Sequence, residues 1–196
     1  MTTTGDDTRS QILDAAWTLI QRGGTADVTV ARIAAQAGVS RQLVYFHFTN
    51  RAGLLTAMAR RRDQTSPFAA AARDSRAMDP DAGFEHLLRA WCDYVPEILP
   101  VARALETALV TSDDGGSAWR DRMGELHDIL HEAVGRLALA DGWSVDTATD
   151  WVWARIQPST YQHLVNERGW PAQRYTERTV ESLKSELTAR PAASPG

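Results

Sequence analysis

Residues 29–55 determine how the N-terminal part of the chain folds, and they read Thr-Val-Ala-Arg-Ile-Ala-Ala-Gln-Ala-Gly-Val-Ser-Arg-Gln-Leu-Val-Tyr-Phe-His-Phe-Thr-Asn-Arg-Ala-Gly-Leu-Leu. Apolar side chains recur at helical spacing on both sides of Gly38. Thr29 and Ser40 precede the two segments, where a side-chain oxygen can accept a backbone N–H left unpaired at a helix start. Gly38 suits the left-handed conformation that often follows a helix end. Two helices this short, joined by a three- or four-residue turn containing glycine, predict a helix-turn-helix.

The second of these helices predicts a surface that contacts nucleic acid. Val44 and Phe48 lie four residues apart and face the core, whereas the remaining arc is exposed. That arc combines basic, amide, apolar and aromatic side chains at Arg41, Gln42, Leu43, Tyr45, Phe46 and His47. Arginine pairs with guanine, glutamine with adenine, and an apolar group with the thymine methyl. The tyrosine and the histidine, with Arg51 at the start of the next helix, can bind phosphate oxygens. In the alternative, Tyr45, Phe46 and His47 pack against the second domain.

Composition and charge narrow the class of protein. The 196 residues are 43% hydrophobic and 23% charged, so they can bury a sizeable core. The single cysteine, Cys92, excludes an intrachain disulfide, and the sequence shows neither a membrane-spanning run nor a signal peptide. We therefore expect a cytoplasmic protein that does not enter a membrane. The whole chain has a net charge of −4, but residues 1–62 carry eight arginines against four aspartates. A basic module of this kind can still attract phosphates.

The periodicity of the whole chain predicts an all-α protein. Helical spacing covers about residues 8–22 before the motif, and a fourth helix runs from Asn50 to about Gln64. Further helices are predicted at 81–95, 97–112, 116–140, 145–168 and 171–189, with a kink at Pro158 in the 145–168 helix. We divide the chain into a three-helix helix-turn-helix DNA-binding domain at 1–62, a larger helical ligand-binding and dimerisation domain at 63–190, and a loose tail at 191–196.

The motif also resembles a known signature. The matching positions are Thr29, Ile33, Ala34, Ala37, Gly38, Val39, Ser40, Tyr45, His47, Phe48, Arg51 and Leu54. Together they resemble the DNA-binding signature of the tetracycline-repressor (TetR) family. The resemblance implies that the helix opened by Ser40 lies in the major groove and that Tyr45, His47 and Arg51 contact phosphates. Arg51 stands where lysine is usual, and Leu43 stands where many relatives carry a small or polar residue.

The resemblance further implies a homodimer through the last two helices and a small-molecule pocket. Apolar stripes on the last helices supply interface candidates at Val152, Ile156, Val180, Leu183 and Leu187. In the alternative, both stripes pack within the protomer. Pocket candidates on the middle helices are Trp91, Tyr94, Trp119, Met123, Trp151 and Arg155. Aromatic side chains at this spacing are more often part of a core than of a ligand site, and as a pocket they favour an apolar or aromatic ligand.

These patterns predict a ligand-responsive transcriptional regulator. We expect a homodimeric repressor that binds a palindromic operator in double-stranded DNA and is released by a small apolar or aromatic effector. One alternative is a regulator without a ligand, controlled by its concentration or by a protein partner. A distant one is a helical metal-binding enzyme, because His127 and His131 share a helix face. Since no third ligand follows them, we expect no metal, no cofactor and no enzymatic activity.

Overall fold

The computed structural model describes residues 3–23, 28–111 and 113–188, and it is helical throughout these ranges apart from short connections. Their α-helices are α1 (Thr3–Gly23), α2 (Val30–Ala37), α3 (Arg41–His47), α4 (Arg51–Gln64), α5 (Pro67–Asp74), α6 (Pro80–Thr111), α7 (Asp113–Val134), α8 (Val145–Arg155), α9 (Pro158–Tyr161) and α10 (Ala172–Leu187). A 3₁₀ turn (Ser75–Ala77) follows α5, and a π-helical turn (Gln162–Glu167) follows α9. The all-α prediction is confirmed, whereas the predicted tail at 191–196 lies outside the described residues. No helix in the described ranges is both long and apolar enough to cross a membrane.

The chain divides into two compact units, and neither is a continuous segment. The first contains Met1–Gln64 and Glu97–Arg122, and the second contains Thr65–Pro96 and Met123–Gly196. The predicted boundary after residue 62 falls near the end of the first segment, but the second half of α6 and the start of α7 group with the N-terminal unit.

Specific contacts within the first unit explain why residues 97–122 belong to it. The Gln21 side-chain amide donates to the Glu97 carbonyl at 2.8 Å, and the Arg62 Nε donates to the Glu97 carboxylate at 2.6 Å. The Arg122 guanidinium donates to Asp63 at 3.0 Å. Side chains of α1 and α4 thus bind α6 and α7 directly.

The core of the first unit holds the predicted helix-turn-helix. Helix α1 packs against α2 and α4, and α2 packs against α3. Ile12, Ala16 and Ile20 of α1 follow a four-residue spacing and are fully buried, as are Ile33 of α2 and Leu54 of α4. Burial of one leucine or isoleucine side chain contributes about 1.5–3 kcal/mol, so these contacts stabilise α1, α2 and α4 against one another.

Helix α6 differs from the prediction, which placed two helices at 81–95 and 97–112. The structure has one helix, Pro80–Thr111, that continues through Pro96 and Pro100. A proline inside a helix removes one backbone hydrogen bond and costs about 3 kcal/mol. Buried side chains on both sides of each proline, including Val95, Ile98 and Leu99, offset that cost. The predicted break at residue 96 is therefore wrong.

The segment around Pro158 also differs from the prediction of one kinked helix. Helix α8 ends at Arg155, Gln157 is extended with φ −56° and ψ 142°, and Pro158 begins α9 at its first helical position. The residue before a proline avoids the helical conformation, whereas the first position of a helix accepts proline readily. The kink prediction is wrong, because the chain ends one helix and begins another.

The last helices of the second unit bury their apolar stripes within the protomer. The five predicted interface residues are at most 3% exposed, namely Val152, Ile156, Val180, Leu183 and Leu187. Helix α10 packs against α8 and the π-helical turn, which accounts for this burial. These five side chains therefore belong to the core of the second unit, and the position of the dimer interface stays a prediction.

Candidate nucleic-acid interface

Side-chain caps and one glycine build the turn between α2 and α3. Thr29 Oγ1 accepts the Arg32 N–H at 3.3 Å, and Ser40 Oγ accepts the Leu43 N–H at 3.1 Å. Gly38 adopts φ 67° and ψ 28°, the left-handed conformation in which most other residues are strained. An N-cap hydrogen bond contributes about 0.5–2 kcal/mol, which matters for helices of seven and eight residues. The sequence prediction of both caps and of the glycine turn is confirmed.

Helix α3 has one buried side and one exposed side. Val44 and Phe48 are only 1% and 5% exposed and belong to the core of the first unit. Tyr45 and Phe46 are 55% and 81% exposed, so they are not part of the core of the first unit. Arg41 and Gln42 share the exposed side, with Leu43 and His47 partly exposed at its edges. Two neighbouring aromatic side chains left exposed beside donor groups form an apolar patch, and such patches often mark a surface that binds a partner.

The start of α4 completes this surface with a contact that the sequence did not indicate. The Arg51 side chain is exposed, and its Nε donates a hydrogen bond of 2.9 Å to the Val28 carbonyl. Asn50 Oδ1 accepts the Gly53 N–H at 2.7 Å and caps α4. Arg51 therefore links α4 to the residue that precedes Thr29 and holds a guanidinium beside the N-terminus of α2.

Two of the predicted pocket residues lie in a buried aromatic cluster of the second unit. Trp91 contacts Phe68 edge-on with ring centroids 5.0 Å apart, and Tyr94 stacks parallel to Phe68 at 6.3 Å. The Trp91 Nε1 donates to the Ile156 carbonyl at 2.8 Å, so the indole has a structural partner. Phe68, Trp91 and Tyr94 thus contact one another in a single cluster.

The other pocket candidates lie in different surroundings. Trp151 is 40% exposed, its Nε1 donates to Glu186 at 2.7 Å, and the Arg155 guanidinium lies over its ring at 5.2 Å. Trp119 and Met123 are buried on α7. Trp151 and Arg155 thus belong to a surface, not to the buried cluster that contains Trp91. The six candidates do not line one interior pocket.

A buried tyrosine hydroxyl in the second unit was not predicted. Tyr175 is 1% exposed and packs edge-on against Tyr161 at 5.1 Å. Its hydroxyl is the one buried side-chain oxygen or nitrogen in the described part of the chain that has no hydrogen-bond partner. Burial raises the pKa of Tyr175 and raises the pKa of nearby Cys92 to about 12, so both groups are neutral at physiological pH. Sequence spacing predicts burial at these positions but gives no information on hydroxyl partners.

The two histidines of α7 each contact an aspartate of α8. His127 Nε2 lies 3.0 Å from Asp150 Oδ1, and His131 Nε2 lies 3.0 Å from Asp146 Oδ1. Both pairs repeat with a four-residue spacing, so they connect the two helices side by side. In the described ranges no group of three or more histidine, cysteine or acidic side chains could hold a metal ion. The sequence located the histidine pair but not its partners, because α8 lies 15 or more residues away.

Comparison with known proteins agrees with the geometry of the first unit. Residues 12–58 match the family model described as bacterial regulatory proteins, tetR family. The chain is 39% identical over 163 residues to "Probable HTH-type transcriptional regulator ArpR" of Pseudomonas putida, an alignment that covers 69% of this chain and 78% of that protein.

Solved structures show the same fold. NalD of Pseudomonas aeruginosa, the secondary repressor of the MexAB-OprM multidrug efflux pump, aligns with a TM-score of 0.65 and 22% identity over 94% of this chain and 97% of its own. The SmeT–triclosan complex aligns with a TM-score of 0.71 and 18% identity over 97% and 98% of the two chains. The fold of this chain is therefore similar to that of these two proteins over nearly its whole length, and not only in the helix-turn-helix.

Proposed function

We propose that this chain, which belongs to the tetR family of bacterial regulatory proteins, is a repressor that a small aromatic or apolar effector releases from a palindromic operator. Members of this family are DNA-binding transcriptional regulators and not enzymes. The observation that carries the proposal is the exposed side of α3, where Tyr45 and Phe46 project beside Arg41 and Gln42 from a helix that is capped and packed on its other side.

The groups on this surface divide into two kinds of DNA contact. Arg41 and Gln42 carry donor and acceptor groups that pair with base edges, and the Phe46 ring is suited to a thymine methyl group. Tyr45, His47 and Arg51 supply polar groups for phosphate oxygens, which fix the orientation of the helix but carry no sequence information.

A dimer would present two such helices about one turn of DNA apart. Since the apolar stripes of α8 and α10 are buried, we assign the dimer surface to the exposed side of the same helices. Trp151 is its largest apolar side chain, and Arg155 and Glu186 hold the indole in place. Exposed tryptophan and arginine at the centre of a patch are typical of residues that dominate binding energy.

The aromatic cluster of the second unit is the site that we propose for the effector. Phe68, Trp91 and Tyr94 supply aromatic surface, and the unpartnered Tyr175 hydroxyl supplies a donor for one polar group. The structural neighbour SmeT, solved with triclosan, supports a small aromatic compound. The effector must bind more tightly to a conformation that does not fit the operator, because a ligand with equal affinity for both conformations shifts nothing.

The DNA-binding part is tested by fluorescence anisotropy with DNA from the region upstream of the protein's own gene. Replacing Tyr45 with Phe should weaken binding to all sequences similarly, whereas Gln42→Ala should reduce the preference for the operator. Gln36→Ala, at an exposed glutamine on α2, is the control and should leave that preference unchanged. If wild-type protein bound operator and scrambled DNA equally at every salt concentration, the proposal would be wrong.

The effector part is tested by melting temperature in the presence of triclosan and of a panel of small aromatic compounds. A compound that binds the aromatic cluster should raise the melting temperature and release operator DNA at the same concentrations. Tyr175→Phe should reduce the response to compounds with a hydrogen-bond acceptor and leave the response to hydrocarbons unchanged. A compound that releases DNA equally well from Tyr175→Phe and Trp91→Leu variants would place its site elsewhere.

A further inference from the structure

Arg9 of α1 lies against the end of α3, although the two are far apart in sequence. The central carbon of its guanidinium is 5.4 Å from the centroid of the Phe48 ring, and Phe48 is the residue that caps the end of α3. The Arg9 side chain also lines a surface cleft together with Thr49, Asn50 and Gly53, so it lies beside the start of α4. The fold thus places a cation of the first helix at the junction between α3 and α4.

The Phe48 ring positions this cation and leaves its hydrogen-bond donors unused. Phe48 is 5% exposed and belongs to the core of the first unit, so its ring is fixed by the surrounding packing. A guanidinium over an aromatic face is attracted by the ring, while its N–H groups point outward in the guanidinium plane and can still donate. Because Arg9 is already held in place, it loses less conformational freedom on binding a ligand than a freely rotating arginine would lose.

The polar surroundings of Arg9 differ from those of an arginine nearby. In the ranges that the structure describes, the exposed Arg9 side chain forms no ion pair, not even with Asp6 three residues earlier on the same helix. Arg61, which lines the same cleft, donates to Ser10 at 2.7 Å and pairs with Asp14 at 3.4 Å. Arg61 therefore has structural partners for its donors, whereas the donors of Arg9 are available to an acceptor from outside the protein.

We propose that Arg9 binds a phosphate of the DNA backbone beside the groove that α3 enters, and that Phe48 positions it for this contact. The inference rests on the proposed DNA-binding function and adds a residue of α1 to it. A guanidinium presents paired donors to phosphate oxygens, and such charge-assisted bonds are stronger than those between neutral groups. Phosphates border the groove on both sides, so a cation at the end of a helix that enters the groove lies next to them.

A phosphate contact from α1 adds a point of attachment outside the helix-turn-helix. The phosphate contacts proposed for Tyr45 and His47 come from α3, and that of Arg51 comes from the start of α4. Phosphate contacts fix the orientation of a protein on the duplex but carry no sequence information. Arg9 should therefore affect the binding of any DNA sequence equally, whereas Gln42 should affect the preference between sequences.

Fluorescence anisotropy at several salt concentrations tests this contact in the full chain, with DNA from upstream of the protein's own gene and with scrambled DNA. Arg9→Gln should weaken binding to both DNAs by the same factor, about tenfold, as expected for the loss of a hydrogen bond to a charged group. The slope of log K against log salt should become shallower by about 0.9 for each Arg9 in the complex, because one phosphate contact is lost.

Two further variants serve as controls for the charge and for its position. Arg9→Lys keeps the positive charge, so it should retain most of the salt slope. Arg22→Gln, at an exposed arginine near the other end of α1, should leave affinity and slope unchanged. If Arg22→Gln changed the slope as much as Arg9→Gln, the effect would be one of net charge, and the proposal would be overturned.

A double-mutant cycle tests the positioning role of Phe48. Phe48→Leu removes the aromatic face but keeps an apolar side chain in the core. It should weaken DNA binding more in the wild-type background than in the Arg9→Gln background, because part of its effect acts through Arg9. An equal effect in both backgrounds would show that Phe48 does not position Arg9.

Melting temperature separates the DNA contact from a structural role of Arg9. Because the side chain is exposed, Arg9→Gln should melt within about 2 °C of wild type. A lower melting temperature with an unchanged salt slope would show that Arg9 serves the fold, and weaker binding to the upstream DNA alone would show that it reads bases. Either result would overturn the proposal.

The same measurements distinguish failure of this contact from failure of the proposed repressor function. Wild-type protein that binds DNA while Arg9→Gln keeps the wild-type slope would reject the contact and leave the repressor function standing. Wild-type protein that binds neither DNA would reject both.

Discussion

Helices α3 and α10 are both amphipathic, but they place their apolar side chains differently. Helix α10 buries Val180, Leu183 and Leu187 within the second unit, and its remaining surface is polar. Helix α3 buries Val44 on its core side and still leaves Phe46 81% exposed. The difference suggests a criterion for a binding surface. Such a surface carries apolar side chains that remain exposed after the core-facing side of the helix is already filled. By that criterion α3 has a surface for a partner, whereas the stripe of α10 does not.

The largest expected effect comes from the buried stripe. Leu183→Ala should lower the free energy of unfolding by about 2–5 kcal/mol, because it removes a fully buried side chain and leaves a cavity. Urea denaturation measures this loss, and Ser185→Ala on the exposed side of α10 should change stability by about 0.5 kcal/mol or less. If the loss of unfolding free energy varied with protein concentration, Leu183 would belong to a dimer interface. The contrast between α3 and α10 would then be wrong.

Much of the first unit could be predicted from local sequence. Thr29, Gly38 and Ser40 act on groups within three or four residues, so their roles follow from residue type and position alone. The exposed arc of α3 could be predicted for the same reason, because Val44 and Phe48 already occupy the core side. The Arg51 contact with Val28 could not, since it joins residues 23 positions apart.

Features that depend on distant contacts were mispredicted or missed. Pro96 signals a helix end by its local chemistry, yet buried side chains along the whole of α6 offset the lost hydrogen bonds. The stripe of α10 has the same spacing whether it faces α8 or a second protomer, so periodicity alone cannot assign it. The partners of His127 and His131 could not be predicted either, because they lie on another helix.

The interior near α10 should also respond to alkaline pH. Burial raises the pKa of Cys92 from 9.0 to about 12, so folding favours the neutral thiol. Its contribution to stability is complete below pH 9.0 and is lost as the pH rises toward 12. At pH 10.5 the free energy of unfolding should be lower than at pH 8 by about 2 kcal/mol. Cys92→Ala should reduce this pH dependence in urea denaturation, and an unchanged dependence would mean that the thiol is accessible to water in the folded protein.

A smaller effect should distinguish the exposed side of α8 from its buried side. Trp151→Ala should weaken dimerisation at least about tenfold, as expected for a tryptophan at the centre of an interface, while changing helix content little. Sedimentation over a range of protein concentrations measures the dimer Kd. A dimer unaffected by Trp151→Ala would require a different interface.

We propose that the exposed apolar surface of α3 serves DNA binding and not folding. Operator affinity and melting temperature measured together for Phe46→Ala test it most directly. The 81% exposed ring should contribute almost nothing to stability, so we expect an unchanged melting temperature and operator binding weakened by about tenfold or more. A lower melting temperature with unchanged operator affinity would show that Phe46 serves the fold, and would contradict the account.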